Sequence, residues 1–148
     1  LSHAAETSFY DALRESRVPI VCSHSSCRTL CNHPRNLTDD QLRALAEKGG
    51  VAQITFYNGF LVEGDAVAGI HDAVRHILHA VSVAGIDHVG IGTDFDGDGG
   101  VRGLDSASSL IKLTEALQAE GIDHEDLEKI WGGNFLRVMR QAQAAAKE

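Results

Sequence analysis

Short apolar runs recur along the chain, and each of them stops at polar residues. Three runs have the length and composition of buried strands, at residues 18–22, 51–57 and 87–92. The first is followed by Ser23-His24-Ser25-Ser26 and the second by Asn58-Gly59, which predicts a turn. The third runs into Asp94, Asp96 and Asp98 among several glycines. The pattern predicts strands that carry polar side chains at their ends.

Helical periodicity fills the intervals, because apolar residues recur there every three or four positions. It predicts helices at residues 4–17, 38–48, 65–84, 106–117, 123–130 and 134–147. Thr38-Asp39-Asp40-Gln41 predicts a capping box, in which the Thr38 hydroxyl and the Gln41 amide bond to free backbone amides. Several apolar helix residues are expected to face the core, among them Val67, Phe135, Leu136, Val138 and Met139.

The alternation of helices and strands predicts right-handed βαβ crossovers and a parallel α/β sheet. Two architectures fit this order: a small doubly wound sheet, or the later part of a TIM-like (β/α)8 barrel, which normally needs about 250 residues. No repeat, low-complexity tract or flexible linker divides the sequence. Residues 1–148 are therefore predicted to form a single segment.

Composition narrows the function classes. The chain has 148 residues, 43% of them hydrophobic, which is typical of a soluble globular protein. Its net charge of −8 argues against nucleic acid or an anionic membrane surface as a partner. The three cysteines, Cys22, Cys27 and Cys31, lack the paired spacing of a thiol metal site. They favour reduced thiols and a cytoplasmic location, while the start at Leu1 predicts that a preceding segment is missing.

Three strand ends carry groups suited to one metal centre. His24 and Asp94 follow apolar runs, and His3 follows an apolar fragment. All three would lie on the same side of one sheet, and imidazoles and carboxylates are the ligands of zinc-type hydrolytic sites. Each also has a simpler interpretation, since a single histidine is more often a hydrogen-bonded structural residue and an Asp-Gly segment is more often a turn.

Other residues with possible chemistry remain open at this point. His71, His76 and His79 are interpreted as ordinary helix-face residues, and His33 as one more histidine of a common type. Three aromatic residues could line a pocket, although packing is the more usual role: Phe56, Tyr57 and Phe60.

Several motifs together resemble the membrane (renal-type) dipeptidases, zinc metallopeptidases of the amidohydrolase barrel superfamily. The matching pieces run from end to end: Leu1-Ser2-His3, Val21-Cys22-Ser23-His24-Ser25-Ser26, Pro34-Arg35-Asn36-Leu37-Thr38-Asp39-Asp40, Phe56-Tyr57-Asn58, Gly90-Ile91-Gly92-Thr93-Asp94-Phe95-Asp96-Gly97 and Gly133-Asn134-Phe135-Leu136-Arg137-Val138. The resemblance implies that the chain is the C-terminal half of a TIM-like barrel, incomplete by itself.

The resemblance also implies a function and a set of site residues. His3 and His24 are similar to the histidines that hold one zinc ion of a binuclear site, and Asp94 to the catalytic aspartate. Arg35 is similar to the arginine that binds the substrate carboxylate, a role that suits a planar, permanently charged guanidinium. The implied activity is hydrolysis of dipeptides, by an enzyme expected to be a homo-oligomer when complete. Asp96 belongs to the motif without an assigned role, and Asp98 is interpreted as a solvated turn residue.

One departure from the family pattern limits this interpretation. The family's first-strand His-x-Asp pair and its bridging glutamate would lie before Leu1, so the chain alone is expected to be inactive. Two alternatives remain: a non-catalytic α/β fragment or partner-binding module, and another hydrolase of the superfamily such as a deaminase or lactonase. Arg35 argues against the second alternative, because a lactone or nucleobase has no carboxylate for it to bind.

Overall fold

A three-stranded parallel sheet forms the centre of the computed structural model, which describes residues 1–146. The strands are β1 (Val21–Ser25), β2 (Val51–Ile54) and β3 (Val89–Ile91), arranged in that order. Val21 pairs with Val51, and Ala52 pairs with Val89. Each strand lies beside the next one along the chain, as consecutive βαβ units require.

Helices connect the strands and continue beyond them. They are α1 (Glu6–Glu15), α2 (Asp39–Glu47), α3 (Asn58–Leu61), α4 (Ile70–Ala84), α5 (Leu110–Ala119), α6 (His124–Glu128) and α7 (Asn134–Ala145). Short 3₁₀ turns at Ile86–His88 and Ala107–Ser109 precede β3 and α5, and a wider π turn, Lys129–Gly133, joins α6 to α7. Within residues 1–146, every helix falls short of the length and apolar character that a membrane crossing demands.

The core lies between the sheet and the helices. Both faces of the central strand β2 are covered, and its Val51, Ala52 and Ile54 are buried. Helices contribute large side chains to the same cluster, including Phe9, Leu42, Leu45, Ile77, Leu113 and Leu117. A parallel strand that is buried on both faces needs apolar residues at nearly every position. This agrees with the apolar runs that predicted β2 and β3. The bounds predicted for the first strand, 18–22, were wrong, because β1 continues through three polar residues to Ser25.

Local signals fixed two helix starts as predicted. At α2, Thr38 Oγ1 accepts from the Gln41 amide at 3.1 Å, and Gln41 Oε1 accepts from the Thr38 amide at 2.9 Å. The capping box is therefore confirmed. At α6, the Asp123 carboxylate accepts from the Asp126 amide at 2.9 Å. Such caps satisfy amides that a helix leaves free in its first turn.

The predicted bounds around β2 and α4 were wrong. β2 ends at Ile54 instead of residue 57, and Asn58-Gly59 begins the short helix α3 instead of a turn. α4 begins at Ile70 instead of residue 65, because the Asp72 carboxylate accepts from the Gly69 amide at 2.9 Å and caps the helix there. Val67 consequently precedes the helix and is 66% exposed, so its predicted core position was also wrong.

The last helix is attached differently from the prediction. Phe135, Leu136 and Met139 are exposed, and Val138 alone of the four predicted anchors is buried. The buried Asn134 amide instead donates to the carbonyl oxygens of Ile86 and Val89 at 2.7 and 2.8 Å. Lys147, the predicted end of this helix, lies outside the described residues.

Candidate active site

His24 lies inside β1, as the fourth of its five residues, and not after the strand as predicted. The strand continues because Ser25 pairs with Ile54 beyond an irregularity in the register, and the Ser25 carbonyl accepts from the Thr55 amide. The backbone amide of His24 donates to the Ser2 hydroxyl at 2.8 Å. This bond ties the chain segment that carries His3 to the end of β1.

The imidazoles of His3 and His24 meet at this place. Their Nε2 atoms are 2.8 Å apart, with ring centroids 4.9 Å apart and ring planes at 59°. On the other side of its ring, His24 Nδ1 lies 2.9 Å from the Ser23 hydroxyl. Burial lowers the pKa of His24, and the Asp94 carboxylate partly opposes this effect. The two Nε2 atoms are thus within hydrogen-bond distance of each other.

Arg35 is held by its own segment and by the segment of His3. Its Nε donates to the Ser2 carbonyl at 2.7 Å, and its guanidinium carbon lies 5.3 Å from the centre of the Phe60 ring. Its Nη2 atom is buried, and no residue in the described part of the chain accepts a hydrogen bond from it. A buried N–H group without a partner is costly. Arg35 therefore has a fixed orientation and unused capacity to bind an acceptor.

Asp94 follows β3 in a strained backbone conformation. Its φ of 59° is in the left-handed region, which aspartate tolerates better than most residues. The amides of Gly97 and Gly99 donate to its carbonyl at 3.0 and 2.8 Å. A side chain on Gly99 would overlap the carbonyl oxygen of Thr93. The glycines therefore allow the chain to fold tightly around Asp94, in agreement with strain being concentrated at functional sites.

A cavity of about 440 Å³ joins these groups. The four residues that the sequence singled out for chemistry all line it: His3, His24, Arg35 and Asp94. The structure thus brings together side chains up to 91 positions apart in the sequence, from His3 to Asp94. Within residues 1–146, however, no group of three or more His, Cys, Asp or Glu side chains is placed to hold a metal ion.

Asp98 and His33 also line the cavity. Asp98 lies in a turn and is exposed, in agreement with its interpretation as a solvated turn residue. His33 is the cavity residue that the sequence analysis overlooked. The signal for His33 was turn chemistry: His33-Pro34-Arg35-Asn36 has proline at the second position of a β-turn, closed by the Asn36 amide and the His33 carbonyl at 2.9 Å. A turn of this kind places His33 and Arg35 close together.

The aromatic residues divide between lining and packing. Tyr57 and Phe60 line the cavity and contact each other edge to face, with centroids 4.7 Å apart. Phe56 is completely buried and packs in the core. Within one short segment, Tyr57 and Phe60 therefore line the cavity, whereas Phe56 packs in the core.

The cysteines are free and buried. Burial raises the pKa of Cys22 to about 11 and that of Cys27 to about 12. Thiols with such values stay protonated at neutral pH and are poor nucleophiles and poor ligands. This agrees with their interpretation as ordinary thiols.

Comparison with known proteins identifies the family. Residues 1–148 match the membrane dipeptidase family, peptidase family M19, and the chain belongs to it. It is 40% identical over 149 residues to an uncharacterized dipeptidase of Schizosaccharomyces pombe, covering 99% of this chain and 36% of that protein. It is 37% identical over 147 residues to the dipeptidase tcpJ of Claviceps purpurea, covering 99% and 35%.

Solved structures give the same result for the fold. A metallo peptidase from Rhodobacter sphaeroides, liganded with a phosphinate mimic of the dipeptide L-Ala-D-Ala, matches with a TM-score of 0.89 and 34% identity over 95% of this chain and 41% of that one. The probable dipeptidase PvdM from Pseudomonas aeruginosa matches with a TM-score of 0.93 and 27% identity over 97% and 50%. The predicted parallel α/β segment of a TIM-like barrel is confirmed, and the chain spans between about a third and a half of these proteins.

Proposed function

We propose that this chain supplies part of the active site of a metal-dependent dipeptidase, which hydrolyses the peptide bond of dipeptides. The observation that carries the proposal is that a histidine pair, a carboxylate and an arginine line one cavity, and that a buried nitrogen of the arginine has no partner among residues 1–146. The names of the relatives support it, as does the dipeptide mimic bound to the Rhodobacter enzyme.

The histidine pair fits a zinc ion. Zinc–nitrogen bonds of about 2.0–2.1 Å in tetrahedral geometry place two ligand nitrogens roughly 3.3 Å apart. The Nε2 atoms of His3 and His24 are 2.8 Å apart, so a shift of about 0.5 Å would admit the ion. We propose that these two residues hold one of two zinc ions in the complete site. Zinc would polarise the substrate carbonyl and make a water molecule more acidic.

We propose that Asp94 transfers protons. Its carboxylate would accept a proton from the attacking water and return it to the departing amine. A side chain at Gly97 would come within 2.9 Å of the Asp94 carboxylate, so this glycine leaves space beside it. The tight loop would keep the carboxylate in the cavity while the proton is moved.

Arg35 would select the substrate class. Its guanidinium is fixed by the Ser2 carbonyl and the Phe60 ring, and its buried Nη2 has no partner among residues 1–146. We propose that the terminal nitrogens bind the α-carboxylate of a dipeptide. A charge-assisted bond of this kind is stronger than a neutral one. This favours a dipeptidase over a lactonase or a deaminase, whose substrates have no carboxylate at that position.

We also propose a cytoplasmic location and a homo-oligomeric full-length protein. Three free, buried cysteines support a reducing compartment. The exposed Phe135, Leu136 and Met139 on α7 support a further contact surface, either with the rest of the chain or with another copy.

The test uses the zinc-loaded full-length protein that contains this chain. It should hydrolyse L-Ala-L-Ala, whereas residues 1–148 alone should have no appreciable turnover, because two imidazoles leave most zinc positions to water. Asp94→Asn should reduce kcat by roughly 10²–10⁴-fold with zinc content retained. The control is Asp65→Asn, a change at an exposed aspartate away from the cavity. A full-length protein that binds zinc and cleaves no dipeptide would favour the non-catalytic or other-hydrolase alternatives.

A further inference from the structure

His33 and Arg35 belong to one β-turn at the edge of the cavity. The turn is closed by a 2.9 Å bond from the Asn36 amide to the His33 carbonyl, with Pro34 at its second position. Both side chains line the cavity. The His33 ring packs on Phe60 with centroids 4.5 Å apart, and the same Phe60 ring supports the Arg35 guanidinium. The two side chains are thus held by one aromatic residue and one turn.

The hydrogen bonds of His33 determine which ring nitrogen carries the proton. Its Nδ1 lies 3.1 Å from the backbone nitrogen of Arg35, whose N–H can only donate. Nδ1 must therefore be the acceptor, and the neutral ring carries its hydrogen on Nε2. Among residues 1–146, no hydrogen bond uses Nε2 of His33. Burial, together with the guanidinium groups of Arg35 and Arg28, lowers the pKa of His33 and keeps the ring neutral.

Arg35 alone leaves part of a bound carboxylate without a donor. Its Nε is already bonded to the Ser2 carbonyl at 2.7 Å, so the edge formed by Nε and Nη2 is not free, and the edge formed by Nη1 and Nη2 remains for a carboxylate. A carboxylate offers about four acceptor positions on its two oxygens, and one guanidinium edge fills about two of them. A second donor beside the guanidinium would satisfy a position that Arg35 leaves unbonded.

We propose that His33 is that donor, a substrate-binding residue whose Nε2–H bonds to the α-carboxylate held by Arg35. The inference rests on the proposed dipeptidase function and deepens it, because it gives the site a second residue that recognises a free α-carboxylate on the substrate. Substrates in which this carboxylate is an amide lose both the charge and the second acceptor oxygen. His33 therefore contributes to selecting free dipeptides over the ends of blocked peptides.

Two substitutions in the full-length, zinc-loaded protein separate this role from a structural one. His33→Asn keeps an oxygen near the position of Nδ1, so the turn retains its acceptor for the Arg35 amide, but no donor remains at the position of Nε2. His33→Gln places an amide N–H near Nε2 and gives up the acceptor at Nδ1. His71→Asn, at an exposed histidine of α4, is the matched control.

We expect His33→Asn to raise KM for L-Ala-L-Ala by about 10–100-fold, as loss of a hydrogen bond to a charged group implies. The kcat should change less than about threefold, and kcat/KM for L-Ala-L-Ala amide should hardly change. His33→Gln should recover most of the KM loss. If both variants are equally impaired, or if neither alters the preference for acid over amide, His33 only supports the turn and the proposal is wrong.

The affinity for a ligand can be measured independently of turnover. The phosphinate mimic of L-Ala-D-Ala, the compound bound to the Rhodobacter enzyme, can be titrated into each variant by calorimetry. We expect Kd to rise by about 10–100-fold in His33→Asn and to be largely restored in His33→Gln. Equal Kd values in wild type and His33→Asn would overturn the inference even if dipeptides are cleaved. Conversely, a Kd difference without any cleavage would support the role of His33 and contradict the proposed reaction.

Discussion

Two sets of histidines in this protein make opposite use of the same side chain. His76 of α4 is fully buried: its Nδ1 accepts from the Cys27 amide at 3.0 Å, and its Nε2–H donates to the Leu61 carbonyl at 3.1 Å. His3 and His24 instead direct their Nε2 atoms at each other inside a cavity. A ring whose nitrogens are both bonded to the backbone is a structural link. The Nε2 atoms of His3 and His24 bond to each other and not to the backbone, so a ligand in the cavity could take the place of that bond.

The pKa does not make this distinction. Burial lowers the pKa of His24, His33 and His76 alike. The number of ring nitrogens bonded to the protein backbone separates them instead: two in His76 and one in His33. Hydrogen-bond satisfaction is therefore a better guide to the role of a histidine here than the direction of its titration.

Removing a ring from the His3–His24 pair should produce the largest effect. In the full-length protein, His24→Ala should lower the zinc content and reduce turnover by on the order of 10³-fold or more, because zinc would lose a ligand that orients it. The free energy of unfolding of the metal-free protein should change by less than about 1 kcal/mol, since the ring faces a cavity. Metal analysis, kinetics and urea unfolding measure the three quantities. Near-normal zinc content with a large loss of stability would show that His24 is a structural residue, as His76 is.

The fold was more predictable than the roles of these histidines. Each apolar run overlaps one of the three strands and the Thr38 capping box was confirmed, because both depend on neighbouring residues. The partners of His76 come from Cys27 and Leu61, 49 and 15 positions away in the sequence, and no local pattern indicates them. The start of α4 was missed for a related reason, since the Asp72 cap prevailed over an apolar periodicity that continued upstream.

In the candidate active site, too, one part could be predicted from the sequence and another part could not. Strand ends and family motifs predicted that His3, His24, Arg35 and Asp94 would share one place, and they line one cavity. Their chemical roles stay predictions. His33 was overlooked because a histidine is common in this sequence and its significance depends on a turn and on the Phe60 ring.

Acid should affect the structural histidine, His76, through the stability of the fold. Burial lowers the pKa of His76 to about 4, below its ordinary value of 6.5. The folded protein therefore disfavours the charged ring, so the contribution to stability is complete above pH 6.5 and is lost as pH falls from 6.5 to about 4. The difference of about 2.5 between the two values corresponds to about 3 kcal/mol. Urea unfolding of the metal-free full-length protein across this range measures the loss.

His76→Ala provides the control for that pH dependence. The variant should be less stable at pH 7 by about 3 kcal/mol, because it leaves a cavity and two backbone groups without partners. Its stability should also fall less between pH 6.5 and 4, since the titrating ring is gone. A slope identical to that of the wild type would assign the acid sensitivity to other groups. Zinc binding by this variant, measured under conditions where it is folded, should be unaltered.

The smallest effect is expected at His79, which represents a third use of the ring. Its Nε2 lies 2.8 Å from the Asp39 carboxylate, and both side chains are partly exposed. Asp39 has other support, because Thr29 Oγ1 donates to it at 3.0 Å and it lies at the start of α2, where the helix dipole favours a negative charge. His79→Ala should therefore cost only about 0.5–1 kcal/mol in urea unfolding, with kcat and KM unchanged. A loss above about 2 kcal/mol would show that one side-chain partner can hold a histidine as firmly as the two backbone partners of His76. The number of backbone bonds to the ring would then not suffice to tell structural histidines from ligand-binding ones, and charged side-chain partners would have to be counted as well.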